Sequence, residues 1–277
     1  MTKIFLDSGD PQETRSVLKF LSELAGQTTN PSLIAKNPQA QGRRFSEAEI
    51  YDFYRGVVKE VSGLLPQGSV SVEVYADAQT SAEAMLKQAR EFNDWIPNAH
   101  IKFPTTAEGL KAAEICIKEG IAVNMTLVFS QSQAAAVYAA TQGAKKGQVF
   151  VSPFVGRLDD RGENGMDLIA HILRMYAQGD GHVEVLAASV RSQDHFLQAL
   201  KLGSDIITAP AKILAEWAQG GQSQPQAEFV YAPAGLKSIP YEEISLEQPW
   251  TAYNISHELT DKGLAKFAAD WNALIKN

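Results

Sequence analysis

The stretch HIKFPTTAEGLKAAEICIK, residues 100–118, reads as one strand followed by one helix. Residues 100–103 are a short run broken by a single lysine, Lys102, and Pro104 closes it because proline has no N–H for a ladder. Thr105-Thr106-Ala107-Glu108 has the form of a capping box, which predicts a helix start. Leu110, Ala113 and Ile117 then recur at the spacing of one helical face. Outward from this unit the same alternation repeats. Strands are expected over 3–7, 28–30, 69–75, 121–128, 148–152, 183–189 and 205–208, separated by helical patterns. An open doubly wound sheet shares that alternation. Eight strands with intervening helices favour a closed barrel, so the expected fold class is α/β, a (β/α)8 TIM barrel over 1–218. The remainder, 219–277, is expected to be a C-terminal extension. It begins with the linker-like GGQSQPQAE (220–228), continues through a stretch without periodicity, and ends in an amphipathic helix. That helix carries Leu264, Phe267, Ala268, Trp271, Leu274 and Ile275 on one stripe, with Thr260 or Asp261 as its expected cap, and packs on the barrel or on a neighbouring subunit.

Other local signals give the remaining helix starts. Asp10-Pro11-Gln12-Glu13 offers a cap, a proline at the first helical position and a second capping box, ahead of Val17, Leu18, Leu21 and Leu24. After the polar loop NPQAQGRR (37–44), a helix carries Ile50, Phe53, Tyr54 and Val57.

Composition narrows the function. Apolar residues make up 45% and charged residues 21% of 277, which suits an ordinary globular protein. A net charge of -7 argues against nucleic acid or an anionic membrane as partner, so an anionic ligand would need a local cluster of cations. The single cysteine, Cys116, suits a reducing compartment, and the N-terminal residues have no apolar core of a signal peptide, so a cytoplasmic protein is expected. Sequence patterns for zinc, dinucleotide, P-loop or nucleophile-elbow sites are not found, so a zinc site is not expected and the other three lack support.

Barrel enzymes gather their chemistry at the C-terminal ends of the strands. The polar residues expected there are Asp7, Asn30, Glu73, Lys102, Asn124 with Thr126, Ser152, and Ser189 with Arg191. Ile101 and Phe103 flank Lys102 and point to the opposite face of its strand, so Lys102 should face the barrel interior. Burial favours the neutral amine, and a neutral lysine attacks carbonyl carbon to give a Schiff base that serves as an electron sink. The alternative is a structural lysine paired with Glu73 or Asp7. Those carboxylates are proton-transfer candidates or plain counter-ions. Arg157 and Arg191 follow strands six and seven, where a forked guanidinium suits a phosphate dianion. Surface ion pairs with Asp159, Asp160 or Asp194 are the bland alternative. His100 reads as a hydrogen-bonded residue of the barrel core.

The segments FLDSGD (5–10), TTNPSLIAK (28–36), SVEVYAD (71–77), IKFPTTAEGLKA (101–112), NMTLVFS (124–130), SPFVGRLDD (152–160) and LAASVR (186–191) closely resemble the transaldolase family. The resemblance implies that Lys102 forms the Schiff base, that Asp7 shuttles the proton of the C4 hydroxyl, and that Glu73 and Thr126 position a water. It further implies that Asn30, Asn124 and Ser152 hold hydroxyls of a dihydroxyacetone unit while Arg157, Ser189 and Arg191 grip phosphate. The implied reaction converts sedoheptulose 7-phosphate and glyceraldehyde 3-phosphate to erythrose 4-phosphate and fructose 6-phosphate, a step of the pentose phosphate pathway, and needs no metal and no organic cofactor because the lysine itself supplies the electron sink. A homo-oligomer is compatible with the resemblance. Fructose-6-phosphate aldolases are similar, but typically carry Gln where Glu73 stands and Tyr where Phe154 stands. A lyase releasing dihydroxyacetone is therefore the alternative activity, and a non-catalytic sugar-phosphate-binding barrel the third.

Overall fold

A computed structural model describes residues 1–226, 228–233 and 235–276. Eight parallel strands close a barrel in sequence order: β1 (Lys3–Asp7), β2 (Gly26–Thr28), β3 (Ser69–Glu73), β4 (Ala99–Pro104), β5 (Val123–Val128), β6 (Val149–Pro153), β7 (Val183–Ala187) and β8 (Ile206–Ala209). β8 returns to pair with β1, so no strand edge is left open. The helices around it are α1 (Pro11–Val17), α2 (Pro31–Lys36), α3 (Glu47–Leu64), α4 (Ala82–Asn93), α5 (Ala107–Lys118), α6 (Gln131–Ala140), α7 (Val155–Asp159), α8 (Gly165–Tyr176), α9 (Gln193–Leu202), α10 (Ala211–Gln219) and α11 (Glu258–Asn272). This is the expected (β/α)8 barrel with a further C-terminal helix. Its strands are buried on both faces, as a helix-covered parallel sheet requires.

The barrel is filled in layers. His100 stacks on Phe150 with ring centroids 4.0 Å apart and is held by the Ser69 hydroxyl and the Gly147 carbonyl. Burial lowers its pKa to about 4, so the ring is neutral filling, as expected for a core histidine.

Several local expectations are corrected. β2 covers Gly26–Thr28, earlier than expected, and Asn30 instead caps α2 by accepting the Leu33 N–H at 2.9 Å. α1 stops at Val17, and Leu21 and Leu24 are buried from the loop that follows. Neither expected capping box forms. Asp10 caps α1 alone while Glu13 turns to Ser8, and Thr106 caps α5 while Glu108 accepts the Ala82 N–H at 2.8 Å. At α1 the Ser8 hydroxyl takes the Glu13 carboxylate, and at α5 the cap falls on Thr106, one residue later than the box requires, so Gly109 rather than Glu108 stands at its third position. α11 is capped by His257, not by Thr260 or Asp261. Thr260 is buried and donates to the Leu127 carbonyl at 2.9 Å, docking the helix on β5.

Residues 227, 234 and 277 of the extension lie outside the described residues. The described part of 229–256 contains a 3-10 turn, Trp250–Ala252, and otherwise runs as a strap outside the helices. It is held by Asp167, which accepts from the Ile239 N–H, by Gln131, which bonds Pro240 and Glu242, and by Glu114, which accepts from the Trp250 indole. α11 then crosses back toward the C-terminal mouth of the barrel, packing on α2 and β5.

Candidate active site

Lys102 sits on β4 in the rung Glu73–Lys102–Asn124. Strand alternation turns it inward, and it is 3% exposed. Its Nζ lies 2.9 Å from Glu73 Oε2 and donates to the Thr29 carbonyl at 3.3 Å. The Glu73 contact is a close ion pair whose angle falls outside hydrogen-bond geometry, since Oε2 makes no aligned bond among the described residues. Burial raises the Glu73 carboxyl above the usual range, with Lys102 and Arg157 opposing. Asp7 behaves alike. Burial raises it, Lys102 opposes, and Thr28 donates a hydroxyl hydrogen bond at 2.7 Å. One amine thus faces two carboxylates that are both easier to protonate than in water.

Below this group runs a buried polar network. Asn124 donates to Ser71 at 3.0 Å and accepts from Ser152 at 2.6 Å. Thr126 is fully buried, and its hydroxyl has no hydrogen-bond partner among the described residues. The strand is distorted just beyond it. Leu127 has φ 60°, and the β5–β6 register shifts between Met125 and Val128. A bulge of this kind re-aims side chains at a barrel rim.

Above the lysine opens a cavity of about 230 Å³. Of the eleven site residues read from sequence, eight line it: Asp7, Asn30, Lys102, Ser152, Phe154, Arg157, Ser189 and Arg191. Glu73, Asn124 and Thr126 lie behind that lining rather than on it. The corner that carries Arg157 and Arg191 is built by two loops in contact. The first turn of α7 donates through Val155 N and Gly156 N to the carbonyls of Ala188 and Ser189. Gly156 is required there, because a Cβ would stand 2.5 Å from Arg191 Nε and from the Ser189 carbonyl oxygen. Ser189 itself has φ 58°, a left-handed conformation that a serine holds only where its surroundings enforce it. Arg157 lies 5.2 Å from the Phe154 ring and 5.3 Å from the Phe267 ring, and burial lowers its pKa. Arg191 bonds Asp160 at 2.5 Å, so that part of the surface ion-pair alternative is present while the side chain still lines the cavity.

Half of the lining was not singled out in the sequence, and Lys36, Lys266 and Phe267 are the members that add charge or an aromatic ring. Lys36 lay within the quoted TTNPSLIAK segment and was readable only as a helix-end cation. Lys266 and Phe267 come from α11, more than 150 residues after Lys102; Phe267 reads locally only as one position of an apolar stripe, and nothing local marks either as a site residue. Among the described residues no cluster of three or more His, Cys, Asp or Glu side chains could hold a metal ion. No described helix is long and apolar enough to cross a membrane.

Fold and site together define an α/β barrel with its ionisable groups gathered at the C-terminal ends of the strands. A sequence profile described as Transaldolase/Fructose-6-phosphate aldolase matches residues 4–277. A "Probable transaldolase" of Dehalococcoides mccartyi is 38% identical over 274 residues, covering 99% of this chain and 100% of that one. Another, of Brucella ovis, is 39% identical over 269 residues, covering 97% and 96%. The crystal structure of 3-hexulose-6-phosphate synthase from Salmonella typhimurium shares the fold at a TM-score of 0.50 and 13% identity, covering 79% of this chain and 96% of that one. The chain belongs to the transaldolase/fructose-6-phosphate aldolase family and is an enzyme of that family.

Proposed function

We propose that the protein is a transaldolase that moves a dihydroxyacetone unit from sedoheptulose 7-phosphate to glyceraldehyde 3-phosphate. The carrying observation is the buried Lys102 amine, 2.9 Å from Glu73, facing a cavity shared with Asp7 and two arginines. The neutral amine adds to C2 of the ketose, and loss of water gives an iminium. Glu73 and Thr126 orient that water, one as a carboxylate that can take or give a proton and the other through a hydroxyl with spare capacity. Asp7 then accepts the C4 hydroxyl proton as the C3–C4 bond breaks, leaving erythrose 4-phosphate and an enamine on Lys102. The electron pair of the broken bond rests in the enamine. Addition to the acceptor aldehyde reverses these steps, with Asp7 returning its proton, and hydrolysis frees fructose 6-phosphate. A carboxyl raised toward neutrality suits a group that must both take and return a proton.

Asn30 and Ser152 hold hydroxyls in this reading, supported by their position on the cavity wall, and Asn124 orients Ser152 by accepting its hydroxyl. Arg157, Ser189 and Arg191 take the phosphate. Phe154 favours transfer over release: its ring borders the cavity and has no hydroxyl to protonate the enamine carbon. The relatives named as probable transaldolases support the same reading. We place the reaction in the cytoplasm, where a lone buried thiol such as Cys116 stays reduced.

Borohydride reduction with fructose 6-phosphate tests the lysine, and an adduct mass on the Lys102 peptide is expected. Turnover with and without an aldose acceptor tests the transfer. Acceptor-dependent turnover is expected, whereas free dihydroxyacetone at an equal rate without acceptor identifies the lyase. Absence of any adduct sinks the Schiff-base mechanism.

A further inference from the structure

Tyr54 comes from α3, outside the barrel, and is 1% exposed. Its hydroxyl enters the seam between β2 and β3 where their ladder stops. The Glu73 N–H donates to the Tyr54 oxygen at 2.8 Å. The Tyr54 and Thr29 hydroxyls lie 2.6 Å apart, and Thr29 donates its own proton to the Ser71 carbonyl at 2.7 Å. Since Thr29 has one hydroxyl proton, the phenol must be the donor in the first pair. Burial also raises the phenol above its usual range, keeping that proton in place. The chain therefore runs Glu73 N–H to Tyr54 to Thr29 to the Ser71 carbonyl, with each of these hydroxyls donating once and accepting once.

The position of this chain in the ladder gives it a consequence. β2 and β3 pair with Thr28 opposite Ser71, and the Thr29 N–H donates to the Ser71 carbonyl at 3.2 Å. In a parallel ladder the next rung would run from the Glu73 N–H to the Thr29 carbonyl. The phenol takes that N–H instead. The Thr29 carbonyl is left to accept from Lys102 Nζ at 3.3 Å, while Glu73 Oε2 stands 2.9 Å from the same nitrogen.

We infer that Tyr54 is a positioning residue: by intercepting the Glu73 rung it fixes both the Glu73 carboxylate and the Thr29 carbonyl around the Lys102 amine. This rests on the proposed Schiff-base role of Lys102. The aromatic packing around Tyr54, with Phe92, Trp95 and Trp271 all in contact, holds the ring but does not by itself explain the hydroxyl.

Tyr54→Phe keeps the ring and deletes the interception, so the Glu73 N–H is free to close the rung on Thr29. The expected result is a kcat lower by on the order of tenfold, the scale of one buried hydrogen bond in RT units, with KM for fructose 6-phosphate within about twofold. Borohydride trapping on Lys102 should slow in parallel. Phe92→Leu serves as the packing control. It disturbs the ring that stacks on Trp95 at 4.0 Å, leaves the Tyr54 hydroxyl, and should lower Tm at least as much while keeping kcat. A Tyr54→Phe enzyme with parental kcat and trapping rate overturns the inference alone, as does an equal kcat loss in both variants. A parent protein that forms no adduct overturns the Schiff-base reading and this inference with it.

Discussion

Asp7 is where burial and chemistry pull against each other. Burial is the largest influence on its carboxyl and raises it from 3.8, while Lys102 and Thr28 only partly oppose. The folded state therefore holds this proton more tightly than the unfolded chain. Its stabilising contribution is fully present below the unfolded value and is lost as pH rises through the raised folded value. At neutral pH, well above the unfolded value, Asp7 is therefore a net cost to folding. Asp7→Asn is expected to raise Tm at pH 7, by about 2 °C for each kcal/mol recovered, with the difference shrinking in acid. Turnover should fall by roughly 10²–10⁴, the range for loss of a proton-transfer group. Melting curves of both proteins across pH test the sign. A variant less stable than its parent at pH 7 would show that the Lys102 and Thr28 contacts outweigh desolvation.

At the scale of elements, α11 decides the shape of the mouth. It is one helix of 15 residues, yet it supplies Phe267 beside Arg157, Lys266 at the rim and Thr260 bonded to the distorted end of β5. Gly263 lets it come this close, since a Cβ there would stand 2.5 Å from Arg157 Nη1 and 2.6 Å from a Leu127 methyl. Gly263→Ala should push the guanidinium aside and raise KM for phosphorylated donors on the order of tenfold, with kcat changed much less. The overpacking should also destabilise by about 1–3 kcal/mol. Steady-state kinetics and thermal melting measure both. Unchanged KM in a folded variant would mean that Arg157 does not bear on the phosphate.

For the whole molecule the governing fact is charge. The chain carries a net charge of -7, yet its cavity is lined by Lys36, Arg157, Arg191 and Lys266. Anionic substrates are repelled by the bulk of the protein and attracted at one opening. Attraction over such distances is screened within about 10 Å at 0.1 M salt. We expect kcat/KM to fall as salt is added while kcat stays nearly constant. Lys36→Gln should cut kcat/KM roughly two- to threefold at low salt and flatten that dependence. Lys266 already pairs with Asp270 at 3.0 Å, so its removal should matter less. A salt-independent kcat/KM in the parent enzyme would contradict the steering argument.

The sequence by itself determined the alternation of eight strands with helices, because apolar runs and helical faces are local patterns, and strand period alone turns Lys102 inward; closure into a barrel rests on the pairing of β8 with β1. It also placed Asp7, Glu73, Arg157 and Arg191 near strand ends, since chain position along a strand is a local quantity. Helix starts were less legible: Glu13 has the right spacing for a box but is taken by Ser8, and α5 is capped one residue later than expected, which leaves Glu108 to bond the first residue of α4. Only the tertiary structure decided what closes over the site and what holds it from behind. Phe267 and Lys266 arrive on a helix remote in sequence, and Tyr54, which reads as one more apolar position of α3, delivers a hydroxyl between two strands. Such contacts depend on where whole elements dock, and the energy that fixes the docking is spread over the entire packed core rather than written in any one segment.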